Sequence, residues 1–256
     1  MSDYQYFNLD ITGGVATVTM NLPPLNVMDN PMMAEFNTLL DGLVADDNLS
    51  AIVIAAEGKA FSAGVDVSDH TEDKVGDMIE RFHGIFRRLA ATDAITIAAV
   101  QGAALGGGCE LACFCDVVLA SDRAKFGQPE VHVGVFPPVA AAILPWRVGL
   151  GKAIELVSLG GTISATEAHR IGLVNQLFPA DEFNDKVTAY IDSIRGLSRP
   201  VVRMAKQATM VGMRAETLKR LEEAEKIYLD ELMQLHDAHE GIAAFMEKRS
   251  PEWSHA

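Results

Sequence analysis

The chain has 256 residues, 49% hydrophobic and 22% charged, enough apolar material for one large domain, or a domain with an appendage, around a sizeable core. With 35 acidic against 21 basic residues the net charge is −14, and no basic stripe or aromatic-interleaved patch is present, which excludes a nucleic-acid partner. No apolar run approaches the roughly 20 residues of a membrane span and no secretory leader is read, so a cytoplasmic protein without a membrane partner is expected.

Strand-like stretches fall at 4–10 and 15–20, and Asn30-Pro31 reads as a helix start, with a cap residue and then proline at the first helical position. The apolar strand 51–55 runs toward a glycine-bearing loop, Phe61-Ser62-Ala63-Gly64-Val65-Asp66. Val75, Met78, Ile79, Phe82, Ile85, Phe86 and Leu89 follow the spacing of an amphipathic helix. Further strands are expected at 95–101, 116–120 and 173–178, and the alternation with helices argues for an α/β architecture. From about 199 the pattern is helical throughout. Its apolar positions, among them Val201, Val202, Met204, Leu218, Leu221, Ile227 and Leu232, exceed what one surface helix leaves exposed, so packing on the body or on another subunit is expected.

The most informative segment is Gly106-Gly107-Gly108-Cys109-Glu110. Three successive glycines cost backbone entropy and are tolerated where a backbone must approach something closely. Strand, glycine turn and helix start in that order aim N–H groups at one point and put a carboxylate in the first helical turn. Such donors beside an acid suit a reaction that builds negative charge on a carbonyl oxygen while moving a proton. The alternative is close helix packing alone.

Other chemistries fit less well. The glycines lack the Gly-x-Gly-x-x-Gly spacing of a dinucleotide site, Gly151-Lys152-Ala153 lacks the rest of a phosphate loop, and no Gly-x-Ser-x-Gly elbow is present. Cys109, Cys113 and Cys115 lack a fourth ligand and the usual spacing of a metal site, and read as reduced, packed cysteines. No metal and no cofactor are expected.

Taken together, the segments Gly58-Lys59-Ala60-Phe61-Ser62-Ala63-Gly64-Val65-Asp66, Ala103 to Ala112, Cys115-Asp116, Ala124-Lys125-Phe126-Gly127-Gln128-Pro129-Glu130 and Glu240 to Arg249 resemble the signature of the enoyl-CoA hydratase/isomerase (crotonase) superfamily, in the family's order and over nearly the whole chain. The resemblance implies a crotonase fold: a spiral of ββα units over 1–195 holding the CoA and acyl sites, then a helical region, 196–256, used for trimer contacts. It implies an acyl-CoA thioester as partner, CoA being carried by the substrate, and a homo-oligomer, a trimer or a dimer of trimers.

Carried over by residue, the thioester carbonyl would sit between the N–H groups of Val65 and Gly107. Glu110 would take a proton from water and Glu130 deliver one to Cα. Ala63, Gly64, Val65, Asp66, Val67 and Ser68, with Gly106 and Gly107, would hold CoA largely through backbone groups. Where linear-chain hydratases usually have a glycine-rich stretch after the second glutamate, this chain reads Gly134-Val135-Phe136-Pro137-Pro138-Val139. Phe136, Pro137, Pro138 and Val139 are therefore expected to wall a stiff, apolar acyl pocket. Leu22 replaces a residue that is often basic in the family. The variant segment, with Val67-Ser68-Asp69-His70, Phe82-His83-Gly84 and Tyr228 to Met233, resembles the cyclohexa-1,5-diene-1-carbonyl-CoA hydratases of anaerobic aromatic degradation. The resemblance thus implies hydration of a cyclic dienoyl-CoA; a linear-chain hydratase, a Δ3-Δ2 isomerase or a non-catalytic acyl-CoA binder are the alternatives.

Overall fold

In the computed structural model, which describes residues 4–256, the alternating strand and helix signals form two sheets rather than one. The chain runs through β1 (Phe7–Thr12), β2 (Val15–Met20), α1 (Asn30–Val44), β3 (Ala51–Ala56), β4 (Ala60–Ser62) and α2 (Val75–Ala91). Next come β5 (Ile95–Val100), β6 (Ala103–Leu105), α3 (Gly107–Phe114), β7 (Val117–Ser121), β8 (Lys125–Gly127), α4 (Pro138–Val148) and α5 (Leu150–Leu159). The remainder is β9 (Thr162–Ser164), α6 (Ala165–Arg170), β10 (Gln176–Phe178), α7 (Phe183–Arg195), α8 (Arg199–Thr209), α9 (Met213–Lys226) and α10 (His236–Glu247).

The larger sheet has the order β1-β2-β3-β5-β7-β10, parallel apart from the β1-β2 hairpin; the smaller has the order β4-β6-β8-β9. One unit recurs three times: a strand in the large sheet, a short strand in the small sheet, then a helix. This is the expected ββα spiral. Its central strands read as unbroken apolar runs because helices cover both faces. Ile52, Ile54 and Ala98 face the main core, whereas Val53, Ile97 and Leu119 meet Val187, Ile191 and Ile194 of α7 on the other side.

The structure corrects several boundaries. Asp29, not Asn30, caps α1: its Oδ1 accepts from Met32 N–H at 2.9 Å, and Pro31 sits within the first turn. The first strand starts at Phe7 and the last at Gln176, later than the expected 4 and 173. The small sheet was missed entirely, since three residues give no period-two signal. The glycine turn accordingly follows β6, not β5.

Residues 1–3 of the expected 1–195 core lie outside the described residues. The region from 196 onward packs back on the body. α9 lies against α4 and α2, and α10 against the short helical turn Pro129–Val133. Val202 and Leu221, expected to feed an oligomer contact, are buried within the chain itself; Val201, Met204 and Ile227 are exposed. Among the described residues no helix is long and apolar enough to cross a membrane.

Candidate active site

The three glycines have three separate physical causes. At Gly106, which has φ +52°, a Cβ would lie 2.9 Å from Glu130 Oε1. At Gly107 it would meet Phe82 Cζ at 2.8 Å and Val65 Cγ2 at 2.9 Å. At Gly108 it would overlap the Ser62 carbonyl oxygen. The first glycine admits a carboxylate, the second keeps a cavity open, and only the third serves backbone packing between α3 and β4.

The loop opposite supplies a second backbone donor. Gly64 C=O accepts from Met28 N–H at 2.9 Å, and Asp66 N–H donates to Met28 C=O at 3.0 Å, as in a parallel ladder. Alternate residues of an extended segment point their amides to opposite sides. The Val65 N–H therefore faces away from Met28, toward α3. Gly107, as the first residue of α3, carries one of the N–H groups that a helix start leaves without an internal partner.

Both residues line a cavity of about 360 Å³, together with Ala63, Gly64, Val67, Gly106, Glu110, Glu130, Phe136, Pro137 and Pro138, among others. Those sequence-derived candidates are brought together. Three others are placed differently. Asp66 and Ser68 do not line the cavity; Asp66 Oδ1 accepts from Ser68 N–H at 2.8 Å and caps a short helical turn. Val139 is not a pocket wall either. It is buried in the core within the first turn of α4, and its N–H faces Glu110.

Glu110 and Glu130 are both set in the cavity and both hold their protons unusually tightly. Burial pushes Glu110 up to about 7, opposed by N–H groups of Ala140 and Val139; the Ala140 bond is 2.8 Å long. The two N–H groups that temper its charge belong to the start of α4, and the net shift is upward. Glu130 is raised well above an ordinary glutamate, first by burial and then by the charge of Glu110. One of its oxygens, Oε2, is buried without a hydrogen-bond partner among the described residues. Two carboxyls close enough to perturb one another in apolar surroundings titrate as a pair, with Glu110 the more readily ionised.

The enoyl-CoA hydratase/isomerase family model matches residues 10–256. The chain belongs to this family. It is 37% identical over 244 residues to a probable enoyl-CoA hydratase of Mycobacterium tuberculosis, covering 94% of this chain and 95% of that protein. It is 35% identical over 246 residues to the cyclohexa-1,5-dienecarbonyl-CoA hydratase of Thauera aromatica, covering 96% and 95%. Among solved structures, an enoyl-CoA hydratase from Mycobacterium avium subsp. paratuberculosis superposes with a TM-score of 0.88 at 27% identity, covering 98% of this chain and all of that one.

Sequence reasoning missed several residues of the cavity: Met78, Ile79 and Phe82 on α2, His70, Tyr228 and Phe245. The α2 residues carried a clear helical stripe, but a stripe does not tell core from cavity wall. Tyr228 and Phe245 come from the helical tail; both fall within segments that carry the family resemblance, but nothing in those segments says which side chains face the site.

Proposed function

We propose that this chain is a hydro-lyase that adds water across the conjugated C=C of an enoyl-CoA thioester. The observation that carries this reading is that Val65 and Gly107, whose N–H groups would be the donors, line one cavity with two proton-holding carboxyls. The thioester oxygen would lie against the N–H groups of Val65 and Gly107. Ionised Glu110 takes a proton from water as the water oxygen bonds to Cβ. The C=C electrons move through Cα onto the thioester oxygen as an enolate. Collapse of that enolate takes the proton of Glu130 at Cα. Fixed donors aimed at the developing charge stabilise this step; the loss of one such donor costs about 2.7–4 kcal/mol in comparable sites.

For the acyl group, a cyclic dienoyl-CoA is the reading we favour. Support comes from the Phe136-Pro137-Pro138 wall, which replaces a flexible glycine-rich lining by a rigid one, and from the likeness to the Thauera enzyme. The carriers of CoA contact would be the loop Ala63–Ser68 and the glycine turn; no cofactor or metal enters the step.

We also read the chain as a homo-oligomer, a trimer or a dimer of trimers. Trp146, Leu150 and Ile154 on α4 and α5, with Val201 and Met204 on α8, are large apolar side chains more than half exposed. A cytoplasmic location follows from the same reading as an expectation.

The test is ultraviolet absorbance of a panel of conjugated enoyl-CoAs with wild type, Glu110→Gln and Glu130→Gln. Wild type lowers the absorbance, most rapidly for the cyclic diene, and each variant loses ~10²–10⁴ in kcat. Constant absorbance with wild type would mean a binder rather than an enzyme. A higher kcat/KM for crotonyl-CoA would refute the cyclic substrate alone.

A further inference from the structure

Beyond the two glutamates the cavity is lined by three further polar side chains, His70, His132 and Tyr228, and of these Tyr228 carries a buried polar atom left without a partner among the described residues. Tyr228 is 1% exposed, lines the cavity, and its hydroxyl has no hydrogen-bond partner among the described residues. Buried hydroxyls are nearly always partnered, and an exception calls for a reason. Packing gives none, because the ring stands edge-on to Phe136 at 5.3 Å, a contact that phenylalanine would make equally well.

The backbone around Tyr228 is also unusual. Ile227–Glu231 is a π-helical segment that continues α9. Such segments admit an extra residue into the turn, disturb the α-helical register and recur at functional sites. The segment is held at its start: Glu225 Oε2 accepts from Arg87 Nη2 at 2.6 Å and lies 2.7 Å from the Nδ1 of buried His83, both on α2.

We propose that Tyr228 is a third catalytic group, whose hydroxyl donates a hydrogen bond to the oxygen exchanged at Cβ: the water before addition, the product hydroxyl after it. This rests on the hydratase reading above. A water buried in an apolar cavity needs two to four polar partners to stay in place. Glu110 and Glu130 supply two and Tyr228 a third. The phenol suits the donor role, because burial and the charges of Glu110 and then Glu130 raise its pKa, so that it keeps its proton. It transfers none: the proton lost by water goes to Glu110, and the one gained at Cα comes from Glu130.

The test uses Tyr228→Phe, which keeps the ring and its contact with Phe136. Steady-state kinetics on the best substrate of the panel should show kcat lowered about tenfold or more with KM within about twofold, since the water is misplaced while the CoA ester still binds. Thermal unfolding without ligand should be unchanged or raised, because a hydroxyl buried without a protein partner is removed; a structural tyrosine would lower it. In a Glu110→Gln background, where turnover is slowed ~10²–10⁴-fold, adding Tyr228→Phe should weaken 3-hydroxybutyryl-CoA roughly 3- to 10-fold while leaving butyryl-CoA unchanged, as the two ligands differ only in the oxygen at Cβ. Wild-type kcat in Tyr228→Phe, or equal weakening of both ligands, would overturn the assignment. If Glu110→Gln and Glu130→Gln are inactive while Tyr228→Phe is normal, the hydratase reading stands and the tyrosine proposal alone fails.

Discussion

The peptide N–H of Ala140 donates to Glu110 Oε1 at 2.8 Å, which ties the first turn of α4 to the carboxyl on α3. Pro137 and Pro138 have no N–H to offer, so the first donors available at that helix start are Val139 and Ala140. The proline pair thus both stiffens the cavity wall and selects which amides reach the glutamate.

Activity should follow a bell-shaped pH profile. Burial places Glu110 at about 7, so kcat/KM rises through about pH 7 as the base ionises. It falls at higher pH as Glu130, held well above its usual range, loses its proton. The two limbs belong to the pair rather than to either residue alone. A rate independent of pH between 5 and 9 would contradict the proposed roles.

Stability should carry the same signature with a definite sign. The folded chain binds the Glu110 proton more tightly than the unfolded chain, whose value is near 4.5. That stabilising contribution is complete below about pH 4.5 and is lost as pH rises through about 7. Glu110→Gln should therefore be more stable than wild type at pH 8, by up to roughly 3–4 kcal/mol, and the advantage should shrink toward pH 4.5. Urea midpoints for both proteins across this range are the measurement.

Neighbouring glycines should fail in different ways. Gly107→Ala places its methyl against Phe82 and Val65 at the cavity surface, so the protein should fold and lose most of its turnover. Gly108→Ala drives a methyl into the Ser62 carbonyl, where only backbone can give way. That variant should unfold several degrees earlier or fail to accumulate. Circular dichroism melts beside kcat separate the two, and near-normal kcat in Gly107→Ala would count against the oxyanion assignment.

The acid should also be reachable from a distance. A Cβ on Gly241 of α10 would lie 2.5 Å from the Val133 carbonyl, and one on Gly134 2.5 Å from the Asp237 carbonyl. These two glycines let α10 press on the turn that carries Glu130. Gly241→Ala should cost roughly 1–3 kcal/mol of stability by overpacking. It should also lower kcat more than it raises KM, although Gly241 lines no part of the cavity. Equal kcat in variant and wild type would show that the Glu130 turn tolerates the shift.

Light scattering tests the assembly. The exposed apolar side chains of α4, α5 and α8 lead us to expect a mass of three or six chains at micromolar concentration. A single-chain mass would remove the oligomer from the proposal.

Much of the site was legible in the sequence because its chemistry is local: Gly106 to Glu110 and Pro129-Glu130 are contiguous segments with a visible reason for their composition. The ββα repeat was half legible. Strands such as Ile95–Val100 announce themselves as apolar runs, while their three-residue partners in the second sheet are too short to carry a period. Val139 was misplaced because an apolar residue after two prolines gives no hint of whether its side chain or its amide faces the site. Tyr228 and Phe245 were hidden for another reason: which side of a helix meets a distant cavity is decided by tertiary packing, and the π-helical segment breaks the periodicity from which it would be read.

The cavity wall draws on residues from Ala63 to Phe245, so the pocket closes only when segments far apart in the sequence have met. Contacts between distant segments carry the larger loop-closure entropy and form late. During refolding from urea, helical content should therefore return before turnover does. A saturating acyl-CoA ester, bound by the completed pocket alone, should slow unfolding and leave the early refolding phase unchanged. Catalytic competence would then report on the last step of folding rather than on its bulk.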